Sequence, residues 1–198
     1  MRYEKGRKDA SRRKIIDAAA QRFRQDGIAA TGLAAIMSDA GMTNGAFYPH
    51  FKSKSELVRE TVVAALCDQT DEIGRIIANG GVEAAIGAYL SPEHRDNPDK
   101  GCTFAALLPE LARQPPEVRG AYAERFLSMS GAIADHLASG THDPETAALA
   151  IYAVLVGALQ LARAFKGTDL SDRILDAGAE AARALARSGP SLAHVASD

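Results

Sequence analysis

The stretch TGLAAIMSDAGMTNGAFYPHFKSK, residues 31–54, decides the fold of this chain of 198 residues. Four apolar residues in it have the i, i+3, i+4, i+7 spacing of one helical face: Leu33, Ile36, Met37 and Ala40. Gly41 can adopt the left-handed conformation that ends this helix, and a second short helix is predicted over residues 44–48. We expect Thr31 and Thr43 to cap the two helices with their hydroxyl groups. Two short helices joined at a glycine-containing turn form a helix-turn-helix, whose second helix enters the major groove of DNA.

The residues that follow limit the second helix and begin a longer one. Pro49 disfavours helix at Tyr48, which keeps the recognition helix short. Ser53 with Glu56 three residues later has the spacing of a capping box, which predicts a long helix from residue 54 to 78.

This segment also resembles a known family. The run AGMTNGAFYPHF (residues 40–51), with Ile36 before it and Ser53, Lys54 and Leu57 after it, is similar to the tetracycline-repressor-like (TetR) transcriptional regulators. The resemblance covers residues 10–60. It implies an all-helical homodimer whose N-terminal domain binds operator DNA and whose C-terminal domain binds a small-molecule effector.

The chemistry of individual side chains suggests which residues would contact DNA. Residues at the start of a recognition helix face base edges, and the Asn44 amide can pair with adenine. The resembled family often has a basic residue at this position. Gly45 would allow close approach of the backbone to DNA, with an internal packing requirement as the alternative. Phe47 is assigned to the core. The predicted DNA contacts are Thr31, Thr43, Asn44, Gly45, Tyr48, His50, Lys52 and Lys54.

Charge is distributed unevenly along the chain. Residues 1–60 contain 12 Lys and Arg against 7 Asp and Glu, whereas residues 61–198 contain 11 against 18, so a net charge of +5 precedes one of −7. A basic end on an acidic body is typical of a chain that presents one end to phosphates. Arg12, Arg13 and Lys14 are further candidates for phosphate contacts, or else ordinary surface cations.

Composition excludes several other classes of protein. The hydrophobic content of 46% suffices for a core, and abundant alanine favours helices over sheets. We expect no membrane span, because no run of apolar residues approaches the roughly 20 that cross a bilayer. The N-terminus lacks the apolar stretch of a secretory signal. Cys67 and Cys102 have neither zinc-site spacing nor a disulfide framework. We therefore expect a cytoplasmic protein that needs no membrane, metal or cofactor.

The sequence predicts an all-α protein in three parts. Residues 1–53 form the helix-turn-helix DNA-binding domain, with a flexible basic arm over 1–8 and a first helix over 9–25. Residues 54–188 form a helical ligand-binding and dimerisation domain, and residues 189–198 a disordered tail. Within the second part, helices are predicted over 54–78, 82–90, 101–114, 116–138, 143–165 and from a cap at Ser171 or Asp172 to about 187, with an exposed loop over 91–100.

The predicted body should contain a mostly apolar pocket between its helices. Its candidate lining residues, of which ordinary core packing would explain at least half, are Tyr89, Cys102, Phe104, Leu108, Tyr122, Phe126, Met129, Tyr152 and Leu159. Cys102, at a predicted helix start, is either an oxidant-sensing thiol or a small buried hydrophobe. Arg163 would meet a ligand carboxylate or simply a helix C-terminus.

The last two predicted helices suggest a dimer. Residues 147–164 are apolar nearly all round, and a helix with that composition must be buried on every side, which in a small domain requires a second chain. A four-helix homodimer interface would use Gly157, Leu161, Ile174, Gly178, Ala181 and Leu185.

These patterns favour a regulator released from a palindromic operator in double-stranded DNA by a small-molecule effector. Two other classes stay open: a helical protein-interaction adapter and, less favoured, an enzyme that uses the C-terminal pocket. The sequence contains no P-loop, dinucleotide-binding fingerprint, nucleophile elbow or helical zinc motif, so no catalytic residue is assigned.

Overall fold

The computed structural model describes residues 2–137, 141 and 143–188. Within these ranges the chain forms helices joined by turns and no β-strand, which confirms the predicted all-α class. The α-helices are α1 (Arg2–Asp26), α2 (Leu33–Asp39), α3 (Lys54–Tyr89), α4 (Pro92–Asp96), α5 (Thr103–Leu111), α6 (Pro116–Ala134), α7 (Pro144–Ala164) and α8 (Asp169–Ser188). Two 3-10 helices, Asn44–Ala46 and Pro98–Lys100, lie between them. The tail predicted over 189–198 lies outside the described residues.

Helix α1 is longer than predicted at its N-terminal end. It begins at Arg2, so residues 2–8 are helical where a flexible basic arm was expected. Arg, Lys and Glu are good helix formers, and a basic composition does not by itself stop a helix. The end was predicted correctly, because Gly27 has a φ of 84° and its N–H donates to the Phe23 carbonyl at 2.9 Å.

Helix α2 ends as predicted but begins with different chemistry. Gly41 has a φ of 70° and donates to the Ser38 carbonyl, while Met42 donates to the Met37 carbonyl at 2.8 Å, the two bonds of a Schellman motif. The cap predicted at Thr31 is wrong. Gly32 occupies the N-cap position without a side-chain cap.

Helix α3 starts with the predicted capping box. Ser53 Oγ accepts from the Glu56 N–H at 3.1 Å, and the Glu56 carboxylate accepts from the Lys52 N–H at 2.5 Å. The return bond therefore reaches one residue further back than the usual partner, the N–H of the cap itself. The backbone leaves helical geometry at Gly81, where φ is 71°, which confirms the predicted break near residues 79–81.

Residues 91–100 form α4 and a 3-10 helix where an exposed loop was predicted. Arg163 stabilises α4 by donating from Nη2 to the His94 carbonyl at 2.9 Å and from Nε to the Arg95 carbonyl at 3.2 Å. The Arg95 guanidinium in turn donates to Ser171 Oγ at 2.8 Å. Local sequence could not predict these contacts, because Arg163 lies 68 and 69 residues from its acceptors. Arg163 thus meets helix-end carbonyls.

Helices α5 and α6 are shorter than predicted. Cys102 is the N-cap of α5, and its buried Sγ accepts from the Ala105 N–H at 3.5 Å. Pro109 lies inside α5, which ends at Leu111. Helix α6 ends at Ala134, four residues before the predicted end.

Helix α7 has the predicted bounds to within one residue at each end. Asp143 Oδ1 accepts from the Thr146 N–H at 3.0 Å and caps its start. One face is buried within the chain, whereas Leu149 and Leu161 are exposed, and burial of this second face against another chain stays a prediction. The helix has a mean hydropathy of 1.7 over its apolar window and is long enough to cross a bilayer, contrary to the sequence expectation. A core helix of a soluble protein passes the same test, and half of that window is buried.

Helix α8 begins at Asp169, so a cap at Ser171 or Asp172 is wrong. Ser171 is buried inside the helix and donates its hydroxyl to the Ala162 carbonyl at 2.7 Å. Gly178 is also buried, and a Cβ added to it would lie 2.4 Å from the Ala158 Cβ. The close packing of α8 on α7 therefore depends on this glycine.

The chain divides into two compact units that do not follow chain order. The first contains the described part of residues 1–68 and 97–125, and the second that of 69–96 and 126–198. Helix α3 contributes residues to each unit. The functional division at residue 53 stays a prediction.

We expect Gly178→Ala to lower the free energy of unfolding by roughly 1–3 kcal/mol, because the added methyl group overpacks the α7–α8 contact. Gly120→Ala on α6 is the matched control. It has no atom within 4 Å of the added Cβ and should be neutral or stabilising. Urea denaturation of the two variants measures both values, and equal stabilities would contradict the packing role of Gly178.

Candidate nucleic-acid interface

The centre of the candidate interface is a single exposed turn, residues 43–48. It contains the 3-10 helix Asn44–Ala46, closed by bonds from the Ala46 N–H to the Thr43 carbonyl at 3.0 Å and from the Phe47 N–H to the Asn44 carbonyl at 3.2 Å. An α-helix over residues 44–48 was predicted and is not formed. Pro49 restricts the residue before it, and a glycine inside so short a segment weakens a helix further.

The 43–48 turn is anchored to the core by Phe47. This side chain is buried, as predicted, and stacks on the buried Phe51 with ring centroids 5.6 Å apart. The guanidinium of Arg12 lies over the Phe51 ring, 4.5 Å from its centroid, and forms an ion pair with Glu60. Arg12 was predicted as a possible phosphate contact. Within the unit it stabilises the aromatic pair, and a phosphate contact by Arg12 stays a prediction.

The outer side of the turn presents polar groups and open backbone. Thr43, Asn44 and Gly45 are exposed, and Tyr48 retains 71% of its accessible surface. Thr43 occupies the N-cap position, but its hydroxyl makes no cap bond, so the predicted capping role is wrong. The side chains of Thr43 and Asn44 therefore project from the surface with polar atoms suited to an external partner.

Gly45 has no internal reason to be a glycine. A Cβ added to it meets no atom within 4 Å, and its φ is not among the positive values found at four other glycines. The alternative of an internal packing requirement is therefore wrong. A glycine that lowers local stability without a conformational or packing need is consistent with close approach of an external molecule.

His50 lies at the edge of the same turn and is half-buried. Its Nδ1 atom is buried without a hydrogen-bond partner within the described ranges. Burial lowers the pKa of the imidazole, and the positive charges of Lys8 and Arg12 lower it further. The neutral form is thus favoured near pH 7, in which one ring nitrogen can donate and the other can accept.

The remaining predicted contacts lie in different environments. Lys52 is exposed beside the N-terminus of α3, which favours anions. Lys54 is half-buried, and its Nζ donates to the Ile28 carbonyl at 2.8 Å. Thr31 is 3% exposed and donates its hydroxyl to the Gly27 carbonyl at 2.6 Å. The Thr31 side chain is therefore engaged inside the unit, and its prediction as a DNA contact is wrong.

The other basic residues on α1 are also partly engaged. Arg13 donates to Asp17 at 2.8 Å and to Asp68 at 2.6 Å, and these carboxylates raise the pKa of its guanidinium. Lys14 is exposed. The positive charge of the N-terminal 60 residues is therefore partly neutralised within the chain.

The predicted pocket residues are divided between the two units. Tyr89, Phe126 and Tyr152 form an aromatic cluster in the second unit, with Tyr152 centroids 6.3 Å from Tyr89 and 5.0 Å from Phe126. The Tyr152 hydroxyl donates to Met129 Sδ at 3.4 Å. Leu159 is fully buried in the same unit. The first unit contains the other candidates, namely Cys102, Phe104, Leu108 and Tyr122.

Two of the candidates in the first unit differ sharply in environment. Leu108 is exposed, whereas Tyr122 is buried and burial raises its pKa to about 12. A shallow crevice in this unit encloses essentially no free volume, whereas typical ligand pockets have roughly 300–1,000 Å³. It is lined by Ala20, Phe23, Arg24, Thr61, Val62, Ala65, Thr103 and Leu107.

The candidate dimer residues separate by exposure. Gly157, Leu161 and Ala181 are exposed and free for an external contact, while Ile174 and Leu185 are half-buried. Gly178 is buried against α7 within one chain, as described above, and leaves this set. Leu161 is 54% exposed, and Leu149 on the same helix is exposed as well, so α7 presents a large apolar surface.

Two segments of the chain match one protein family. Residues 15–61 match bacterial regulatory proteins of the tetR family, and residues 78–177 match the tetracyclin repressor-like C-terminal domain. The first match contains the whole candidate interface from Thr43 to Lys54.

Individual relatives agree with this assignment. The chain is 46% identical over 50 residues to the HTH-type transcriptional regulator AcrR of Shigella flexneri, a match that covers 25% of this chain and 23% of that protein. The crystal structure of reduced Escherichia coli NemR has a TM-score of 0.74 at 16% identity, covering 92% of this chain and all of that one. FadR of Bacillus subtilis, solved in complex with stearoyl-CoA, has a TM-score of 0.64 at 17% identity, covering 89% and 98% of the two chains.

Proposed function

The chain belongs to the tetR family of bacterial regulatory proteins, and we propose that it is a repressor whose 43–48 turn binds operator DNA and whose body binds a releasing effector. Members of this family are transcriptional regulators that bind operator DNA and small-molecule effectors, and they are not enzymes. The observation that carries the proposal is the exposed 43–48 turn, anchored by buried Phe47 and open at Gly45.

The proposed contacts follow from the chemistry of the exposed groups. Asn44 would read a base edge, since its amide offers both a donor and an acceptor to adenine. Tyr48, His50 and Lys52 would bond phosphates, which position the protein without reading sequence. Lys54 has two further donors besides the one it gives to Ile28, and these would contribute to the same phosphate cluster.

We assign DNA binding to residues 1–53 and effector binding and dimerisation to residues 54–188. A homodimer would place two 43–48 turns on successive grooves of a palindromic operator. The exposed apolar surface of α7, including Leu161, is suited to burial against a second copy. Action on operator DNA implies a cytoplasmic location, in keeping with the reduced state of Cys67 and Cys102.

The effector would bind in the second unit, where the aromatic cluster of Tyr89, Phe126 and Tyr152 offers large apolar surfaces. FadR of Bacillus subtilis is an example of this fold with a bound acyl-coenzyme A. Helix α3 has residues in each unit and would carry the response. A coupling of about 1–3 kcal/mol would change DNA affinity roughly 5- to 150-fold, and DNA would weaken effector binding by the same factor.

Replacing Gly45 tests the DNA-binding surface. We expect Gly45→Ala to leave the free energy of unfolding unchanged or up to about 1 kcal/mol higher, because the methyl group meets no internal atom. Affinity for a duplex selected from random DNA by the wild-type protein should nevertheless fall about tenfold or more, roughly 1.4 kcal/mol. Calorimetric melting and fluorescence anisotropy measure the two quantities.

The matched control is Gly120→Ala, which adds a methyl group at another open position and should leave DNA affinity unchanged. Wild-type affinity in Gly45→Ala would exclude close approach of DNA at this turn. Absence of any selected duplex for the wild-type protein at low salt would exclude the proposed function itself.

The proposed dimer is tested by placing a charge on α7. Leu161→Glu should yield a monomer, because the carboxylate would be buried unpaired against the partner. Leu127→Glu on α6 is the matched control, since Leu127 is 61% exposed in one chain and lies outside the proposed interface. Light scattering at micromolar concentration measures the molecular mass. A monomeric wild-type protein, or a Leu161→Glu dimer, would contradict the proposal.

A further inference from the structure

A carboxylate from α5 binds the backbone between α1 and α2. One oxygen of Glu110 accepts from the Ile28 N–H at 3.0 Å and the other from the Ala29 N–H at 2.9 Å. Two successive N–H groups that converge on one anion form a backbone nest. Because the carboxylate is charged, these bonds are stronger than bonds between neutral partners.

Gly27 makes this arrangement possible in two ways. Its φ of 84° is a conformation that other residues rarely adopt, and it turns the following N–H groups toward Glu110. A Cβ at this position would lie 2.7 Å from Glu110 Oε1, too close for the carboxylate to keep its place. Gly27 is therefore required by the turn, and a side chain at this position would also displace the carboxylate end of Glu110.

The carbonyl groups of the same loop are held by other side chains. Thr31 Oγ1 donates to the Gly27 carbonyl, and Lys54 Nζ, at the first residue of α3, donates to the Ile28 carbonyl at 2.8 Å. Residues 27–31 are consequently held on both their donor and acceptor sides. Helix α2 begins two residues later, so the position of the loop determines where the helix-turn-helix starts.

A second set of contacts joins residues 97–125, the segment that contains Glu110, to α1. Arg24 Nε donates to the Asp99 carbonyl at 2.6 Å, and Gln21 Nε2 donates to an Asp99 carboxylate oxygen at 3.2 Å. Residues 97–125, which include Glu110, are preceded and followed in the chain by residues of the second unit. A displacement of that segment would therefore act directly on the loop between α1 and α2.

We propose that Glu110 is a positioning residue for DNA binding: it preorganises the helix-turn-helix by holding the backbone of residues 27–29, and withdrawal of its carboxylate lowers DNA affinity. This inference rests on the proposed DNA-binding function. Without Glu110 the loop samples more conformations, and binding must then supply the lost order. Glu110 itself makes no contact with DNA in this proposal.

The direction of the change in DNA affinity distinguishes the positioning role of Glu110 from a simple effect of its charge. Removing a negative charge from a DNA-binding unit raises affinity for phosphates by simple electrostatics. The positioning role predicts the opposite, a fall in affinity. Glu124 on α6 is an exposed carboxylate in the same unit and gives the purely electrostatic baseline.

The test compares Glu110→Gln and Glu110→Asp with Glu124→Gln in the full-length protein. The glutamine offers one acceptor oxygen in place of two, and the aspartate keeps the charge but is one methylene shorter. We expect both Glu110 variants to bind the duplex selected by the wild-type protein about tenfold more weakly at a temperature far below unfolding. Glu124→Gln should bind it equally or more tightly. The salt dependence of affinity should stay unchanged, since no phosphate contact is lost.

Hydrogen exchange of the Ile28 and Ala29 amides provides a measurement that does not require DNA. Exchange at these two amides should accelerate at least tenfold in either Glu110 variant, while the amides of Ile36 and Met37 in α2 remain protected. Wild-type affinity in Glu110→Asp, or unchanged exchange at Ile28 and Ala29, would overturn the proposal. Failure of the wild-type protein to select any duplex, with accelerated exchange in the variants, would instead overturn the proposed function and support the loop contact.

Discussion

Burial of Phe47 is the constraint on which the candidate interface depends. Its ring leaves solvent and stacks on Phe51, which fixes the backbone of residues 43–48 although only one 3-10 turn is hydrogen-bonded there. Full burial of a phenylalanine contributes about 1.5–3 kcal/mol, more than so short a helix could supply by itself. Arg12 covers the Phe51 ring and pairs with Glu60, so a residue of α1 stabilises the same anchor. The exposed side chains of Thr43, Asn44 and Tyr48 are thereby held at the surface of the unit.

In the rest of the first unit, hydrogen bonds from side chains to the backbone hold the connections between helices. Glu110, Thr31 and Lys54 satisfy four peptide groups of the loop between α1 and α2, and Ser53 and Glu56 satisfy two more at the start of α3. Such bonds have definite geometry and are costly to leave unmade in a partly buried loop. They explain how three helices with short connections keep defined positions, which a DNA-reading surface requires.

Local chemistry predicted the parts of the fold that depend on few neighbouring residues. The left-handed glycines at 27 and 41 end helices where expected, Gly81 interrupts α3 near the predicted break, and the Asp143 cap fixes the start of α7. Errors arose where contacts distant in sequence decide the outcome. Glu110 lies 82 residues from Ile28, and nothing in its own neighbourhood indicates a nest. Likewise the burial of Thr31 and Gly178 depends on packing partners that periodicity does not reveal.

In the proposed function, the face formed by Thr43, Asn44, Gly45 and Tyr48 meets duplex DNA. Backbone amide NMR of the labelled protein, titrated with a selected duplex, tests it most directly. We expect the amide signals of these four residues to shift most, together with that of Lys52, while the signal of Gly120 on α6 is unaffected. Shifts concentrated on α6, with the signals of residues 43–48 unchanged at saturation, would contradict it.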